Sequence, residues 1–250
     1  MIPYLGATTY PLFGITFQVW GTFVALGYAV ATYLVWRRAK QKGLDPKVIL
    51  DLAFWIFIAA FIGARLFDVF AYEPYYYAQH PWEALDFRRP GYAMFGGFIG
   101  AFLMSAWIIR RRALSFIAYA DIALWGLPWG CGIGRIGCFL IHDHPGTLSN
   151  SLLALKQPDG TARHDLGLYL SLIGFMTGVL FLYLDRRTRG PGFWVGAFLL
   201  IEGLSRVSLD FLRIQDVRYE GLTPTQWLSI PLVGGGLWLL LRSRRLIRSS

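Results

Sequence analysis

Charge is scarce in this sequence. Only 16% of its 250 residues are Asp, Glu, Lys or Arg, against about 25% in a typical soluble domain. Hydrophobic residues make up 55% and aromatic residues 17%, so too little polar surface remains to cover a water-soluble globule. Cysteine is nearly absent. If Cys131 and Cys138 share a helix, their Cα atoms lie about 10 Å apart, beyond disulfide reach, and they do not report a redox compartment. The four lysines, Lys40, Lys42, Lys47 and Lys156, all fall between apolar segments. That excludes a retinal protein, which needs a lysine within a span. No basic residue precedes Arg37, so the charged start of a cleavable signal peptide is missing. The first apolar stretch is therefore expected to remain as a helix. There is no internal repeat, low-complexity tract or linker. This argues against a transporter or channel built from two related halves and for one membrane domain over residues 1–250.

What the chain has is apolar segments, near residues 16–36, 48–72, 92–109, 116–140, 166–184, 192–212 and 226–241. A spanning helix needs about 20 mainly apolar residues, so these predict seven spans. The net charge of +9 suits nucleic acid or anionic lipid. Its distribution favours lipid, because the basic residues form short clusters between apolar segments rather than one soluble face. No nucleic-acid partner is expected. Arg37, Arg38, Lys40, Lys42 and Lys47 follow the first segment, and Arg110, Arg111 and Arg112 the third. Arg186, Arg187 and Arg189 follow the fifth, and Arg242, Arg244, Arg245 and Arg248 the seventh. With the N-terminus outside, these fifteen face the cytoplasm. Six, Arg88, Arg89, Lys156, Arg163, Arg213 and Arg218, face outward. The positive-inside bias selects N-out and C-in. The fold class is thus an all-α integral membrane bundle of seven helices. Loops 73–91 and 141–165 supply a small outer cap or short interfacial helices.

Ionisable residues inside spans are costly and usually functional. Here they are Arg65, Asp68, Asp121, Arg135, Glu202, Arg206 and Asp210. Helical spacing pairs Arg65 with Asp68, and Arg206 with both Glu202 and Asp210. Arg135 lies in the run Gly130-Cys-Gly-Ile-Gly-Arg-Ile-Gly137 and has no carboxylate within one turn. Glycines admit close approach of a ligand or another helix. A buried Arg among them suits an anion such as a lipid phosphate, or a carboxylate from another helix. His142, His144 and His164 gather on the outer side, where a histidine near a carboxylate can act as a base. A His-x-His metal site at 142 and 144 lacks an evident third ligand.

Several motifs resemble those of bacterial prolipoprotein diacylglyceryl transferases. Gly134-Arg-Ile-Gly-Cys-Phe139 resembles the glycine–arginine signature. Gly63-Ala-Arg-Leu66, ending in Tyr72, resembles the second-helix motif, and Phe95-Gly-Gly97 the third. Arg163-His164 with Leu168-Tyr169, the series Arg206, Asp210 and Arg213, and Thr225-Gln-Trp-Leu-Ser-Ile-Pro231 resemble later segments in the same order. The resemblance implies seven membrane helices, an outward N-terminus, a periplasmic head and residence in the bacterial inner membrane, with the active site facing the outer leaflet. It implies transfer of diacylglycerol from phosphatidylglycerol to the lipobox cysteine thiol of a preprolipoprotein signal peptide, forming a thioether and releasing glycerol phosphate. Partners would be those two substrates and membrane lipid. The expected state is a monomer without cofactor or metal.

On this reading Arg135 and Arg206 are catalytic, with His142, His144 or His164 as the base. Gly96, Gly97, Gly134, Gly137, Cys138, Arg65, Glu202, Asp210 and Arg213 bind or guide substrate. Glu202 and Asp210 are expected to orient Arg206. Three positions depart from the family pattern. Phe95 stands where a histidine often precedes the paired glycines, Cys138 where Asn often follows the arginine run, and Trp20 where a Tyr precedes glycine. Alternative readings are a divergent transferase of another phospholipid head group and an inactive lipid-binding relative.

Overall fold

A computed structural model describes residues 1–86, 94–214 and 218–248. The expected Arg88 and Arg89 lie outside the described residues, as do the side chains of Tyr72 and Phe95. Each apolar segment coincides with one long helix. These are α1 (Val19–Gln41), α2 (Pro46–Phe67), α4 (Met94–Arg111), α5 (Phe116–Ile141), α6 (Leu166–Leu184), α7 (Phe193–Leu209) and α8 (Pro224–Arg248). A short α3 (Pro74–Gln79) lies in the loop after α2. Four helices are long and apolar enough to cross a membrane: α1, α2 continued to Phe70, α5 and α6. Among the others, α7 has only 17 residues, and α8 ends in an Arg-rich turn. Phe57, Phe102, Trp107, Met176 and Trp238 are all exposed on helix surfaces, as a bilayer rather than water requires.

Strands appear where helices or an irregular cap were expected. Thr9–Leu12 (β2) and Ile15–Gln18 (β3) form an antiparallel hairpin. The first helix therefore starts at Val19, three residues after the apolar run begins. Ile2–Pro3 (β1), Pro145–Leu148 (β4), Leu155–Lys156 (β5) and Ala162–Asp165 (β6) form a four-stranded sheet in the order β1-β5-β6-β4. Such two- to four-residue strands carry too little alternation to be read in sequence. They put the N-terminus and the 141–165 loop side by side.

The chain divides into two compact units, Ala39–Phe116 and the remainder. In the first unit, Asp45 caps α2 by accepting from Lys47 N at 2.9 Å, with Pro46 in the first turn. Helices α2 and α4 meet through small residues: Gly63, Gly96 and Gly100 lie against one another and Ala59. A Cβ on Gly97 would sit 3.4 Å from the Ala60 carbonyl. In lipid, helices associate through such close packing because burial of apolar surface gains little there.

In the second unit, α5 lies between α1 and α6. A Cβ on Gly130 would come within 2.7 Å of the Gly27 carbonyl, and one on Gly174 within 2.7 Å of Gly132 N. At the end away from the small sheet, Arg38 is 2% exposed. Its fork donates to both oxygens of Asp185 at 2.6 and 2.7 Å. The guanidinium lies 3.9 Å from the centre of the Trp125 ring and 5.3 Å from Trp194. Asp121, one of the charges expected inside a span, accepts from Gly192 N at 2.6 Å and Val195 N at 3.0 Å. It thus satisfies the free amides at the start of α7.

Candidate active site

The end of α5 that leads into the small sheet carries the candidate site. Arg135 projects from this helix, half-buried. Among the described residues it makes no ion pair, and its guanidinium donates to Cys138 Sγ at 3.7 Å. The glycines around it are mostly spent on packing. A Cβ on Gly137 would lie 2.9 Å from Phe23 Cβ and 3.1 Å from Trp20 Cα, both on α1. Gly134 is looser, with Val24 at 3.9 Å. The glycine run thus holds α1 close along one face and leaves Arg135 on another. Trp20 on α1 thus packs one residue from Cys138.

Helix α7 brings the second arginine. Arg206 Nε donates to Glu202 at 2.8 Å, as the four-residue spacing predicts. One turn before Arg135, Cys131 lies within electrostatic reach of Glu202, Arg135 and Arg206. The expected Arg206–Asp210 pair does not form. Helix α7 ends at Leu209 and Asp210 opens a tighter 3-10 turn, Asp210–Leu212. This swings its carboxylate to Thr223 Oγ1 at 2.9 Å and Arg213 at 3.4 Å. Asp210 is therefore buried in the α7–α8 junction, and among the described residues Glu202 is the carboxylate paired with Arg206. The backbone of Arg213 bridges Gly146 in the cap, which ties this arginine to the loop after α5.

The three histidines have different fates. His142 ends α5 in the left-handed region, with φ 54°. Its Nε2 accepts from Leu5 N at 3.2 Å, so its Nδ1 must carry the proton that binds Asp165 at 3.1 Å. With both ring nitrogens engaged and Tyr4 at 4.5 Å between ring centres, His142 latches the N-terminal strand to the cap. It has no lone pair left for a thiol proton. Asp165 also caps α6 through Leu168 N at 2.9 Å. Burial pushes its carboxyl above the ordinary value, while the Leu168 amide and His142 pull it back. Asp165→Ala is expected to cost about 1–3 kcal/mol by removing the cap and orphaning the ring. The check is limited proteolysis: the first ten residues should become cleavable in the variant and stay protected in the parent.

His164 Nδ1 shares a hydrogen bond with Tyr169 Oη at 2.6 Å. His144 contacts the Asp143 carboxylate. One ligand atom each from Cys138, Asp143 and His144 lie within 4.8 Å of one another. Through Cys138, Arg135 is thus linked to the neighbourhood of Asp143 and His144. Asp143 was visible only as the middle of the His-Asp-His run.

Arg65, Gly96 and Gly97 belong to the unit of residues 39–116. Arg65 is 2% exposed. Its fork donates to the carbonyls of Glu83 at 2.7 Å and of Ala84 and Asp86 at 3.1 Å. Asp68 lies 3.9 Å away. Arg65 thus anchors the turn Pro81–Leu85.

A family model for prolipoprotein diacylglyceryl transferase matches residues 8–242. The chain belongs to that family. Among curated relatives, the phosphatidylglycerol–prolipoprotein diacylglyceryl transferase of Zymomonas mobilis is 32% identical over 251 residues, covering 94% of this chain and 87% of its own. That of Chromohalobacter salexigens is 31% identical, covering 90% and 88%. That of Finegoldia magna is 28% identical, covering 96% and 97%. Membership in this family makes the chain a membrane transferase of lipoprotein biosynthesis.

Proposed function

We propose that this protein transfers diacylglycerol from phosphatidylglycerol to the lipobox cysteine thiol of a preprolipoprotein, working at the outer leaflet of a bacterial inner membrane. The observation that carries the reading is Arg135, a half-buried guanidinium without a carboxylate partner among the described residues. The donor supplies what it lacks, a phosphate whose oxygens match the fork. Attack of a thiolate on the glycerol carbon forms the C–S bond and breaks the C–O bond. The electron pair leaves on the phosphate oxygen. A cation held at that oxygen stabilises the transition state more than the ground state. Arg206, steadied by Glu202, is the second such cation, and Arg213 guides the anion from the cap. The thiol must lose its proton before attack, and Asp143 and His144 lie near Cys138, the residue that Arg135 touches. The test is purified protein with phosphatidylglycerol and a lipobox peptide. A thioether product detected by mass supports the reading. Its absence, with folded protein and defined lipid, rejects it.

In this reading all seven long helices cross the bilayer, with N-out and C-in topology and a monomeric enzyme. The fifteen-to-six division of basic residues supports the orientation, and the shared sheet of β1 with β4 to β6 supports an N-terminus on the cap side. A reporter active only in the periplasm, fused after Ser250, should be silent, while one fused within the 149–153 loop should be active. A fully active C-terminal fusion would reverse the topology.

A further inference from the structure

We propose that Cys138, Asp143 and His144 bind one zinc-class divalent ion, leaving a coordination position open beside Arg135. The three residues offer a thiolate, a carboxylate and an imidazole, the ligand types that zinc selects. They converge from two places. Cys138 is fixed on the last turns of α5, buried, with its main chain against Gly167 of α6. Asp143 and His144 follow the left-handed residue that ends this helix and turns the chain back over it. Their ligand atoms lie within 4.8 Å of one another. Ligand atoms around one tetrahedral zinc are roughly 3.3–3.8 Å apart. The remaining closure needs side-chain rotation of Asp143 and His144 alone, and both have room, being exposed and half-exposed. The sequence offered His142 and His144 as a pair lacking a third ligand. The fold removes His142 into its latch and supplies Cys138 and Asp143 instead.

The charges support the assignment. A thiolate and a carboxylate together neutralise a divalent ion. Arg135, whose guanidinium touches the Cys138 sulfur at 3.7 Å, then keeps its full charge for an anion. Three protein ligands also leave the fourth position free, the arrangement of a reactive rather than a structural site.

The ligand for that position is the acceptor thiol. A thiol that binds the ion is deprotonated outright, its proton passing to solvent. The bound sulfur then forms the C–S bond, and the C–O electron pair leaves on the phosphate held by Arg135. His144 thus serves as a metal ligand and not as a free base. This last step rests on the transferase reading, while the metal site does not.

The test uses the full-length protein in detergent, stripped with a chelator and titrated with cobalt(II) alone. One ion per chain is expected, with the intense near-ultraviolet absorption of a sulfur-to-cobalt charge transfer, displaced by zinc. Cys138→Ser should abolish the band and Cys131→Ser should leave it. Since Cys138 is buried, surface variants guard against misfolding: Asp143→Asn and His144→Gln should each weaken binding at least about tenfold. Absence of the band, or equal binding by Asp143→Asn and His144→Gln, overturns the site. Thioether formation should stop with chelator and return with zinc. Full transfer in chelator without any band overturns the inference and leaves the transferase reading standing. The band without thioether product from phosphatidylglycerol upholds the site and rejects that reading.

Discussion

Arg135→Ala is expected to lower diacylglyceryl transfer roughly a hundredfold while protein still inserts and folds. Removing a buried charge-assisted hydrogen bond from the transition state costs on the order of 3 kcal/mol, which gives that factor. Arg135→Lys should fall between the two. It keeps the charge but lacks the planar fork that grips two phosphate oxygens at once. The competing view, in which Arg135 neutralises a carboxylate of another helix, predicts rescue when both charges are removed. The structure argues against any rescue. Glu202 is paired with Arg206, Asp210 with Thr223 and Arg213, and Asp121 with the backbone of α7. The measurement is turnover of the single variant and of its doubles with Glu202→Gln, Asp210→Asn and Asp121→Asn, at matched protein levels. Recovery of activity in any double would remove the phosphate role.

Arg38→Ala is the second large effect, and it falls on folding. The arginine lies between Trp125 and Trp194 and grips both oxygens of Asp185. Removing one member of a buried ion pair costs about 3–5 kcal/mol, because the other charge is left behind. Here the absence of ring stacking and of the packed stem adds to the effect. Melting of detergent-purified protein should shift sharply down, and membrane levels should drop. Asp185→Asn should be milder, since that side chain is 25% exposed and water can replace part of the interaction. Arg38→Lys should not rescue, as a point charge neither stacks nor forks. An unchanged melting point in Arg38→Ala would show the pair to be incidental.

Arg38 also marks where sequence reading reached its end. By charge counting it is one of five basic residues after the first span, a topological signal and nothing more. Its burial depends on Trp125, Asp185 and Trp194, which arrive from three distant helices, and no spacing announces them. Local features were legible. Seven apolar runs became seven long helices, and the four-residue interval between Glu202 and Arg206 became an ion pair. The similar interval to Asp210 failed because α7 ends at Leu209 and tightens into a 3-10 turn at Asp210 itself. The histidines could not be sorted at all. What separates His142 from its neighbours is Leu5, 137 positions away, and Asp165, 23 away. Arg65 was readable as a buried charge but not as an anchor, since its acceptors are backbone carbonyls that carry no residue signature.

The backbone-to-backbone seams have a consequence for how mutations in this protein will read. At Gly130 and Gly174 even one added methyl would collide with the main chain of a neighbouring helix. Main chain cannot rotate aside as a side chain does. A survey that scores only surviving activity would therefore rank these glycines beside Arg135, although their part is in helix packing. The two groups part when abundance is scored alongside activity. Seam substitutions should deplete the protein from the membrane, whereas Arg135 substitutions should leave a full complement of inert enzyme.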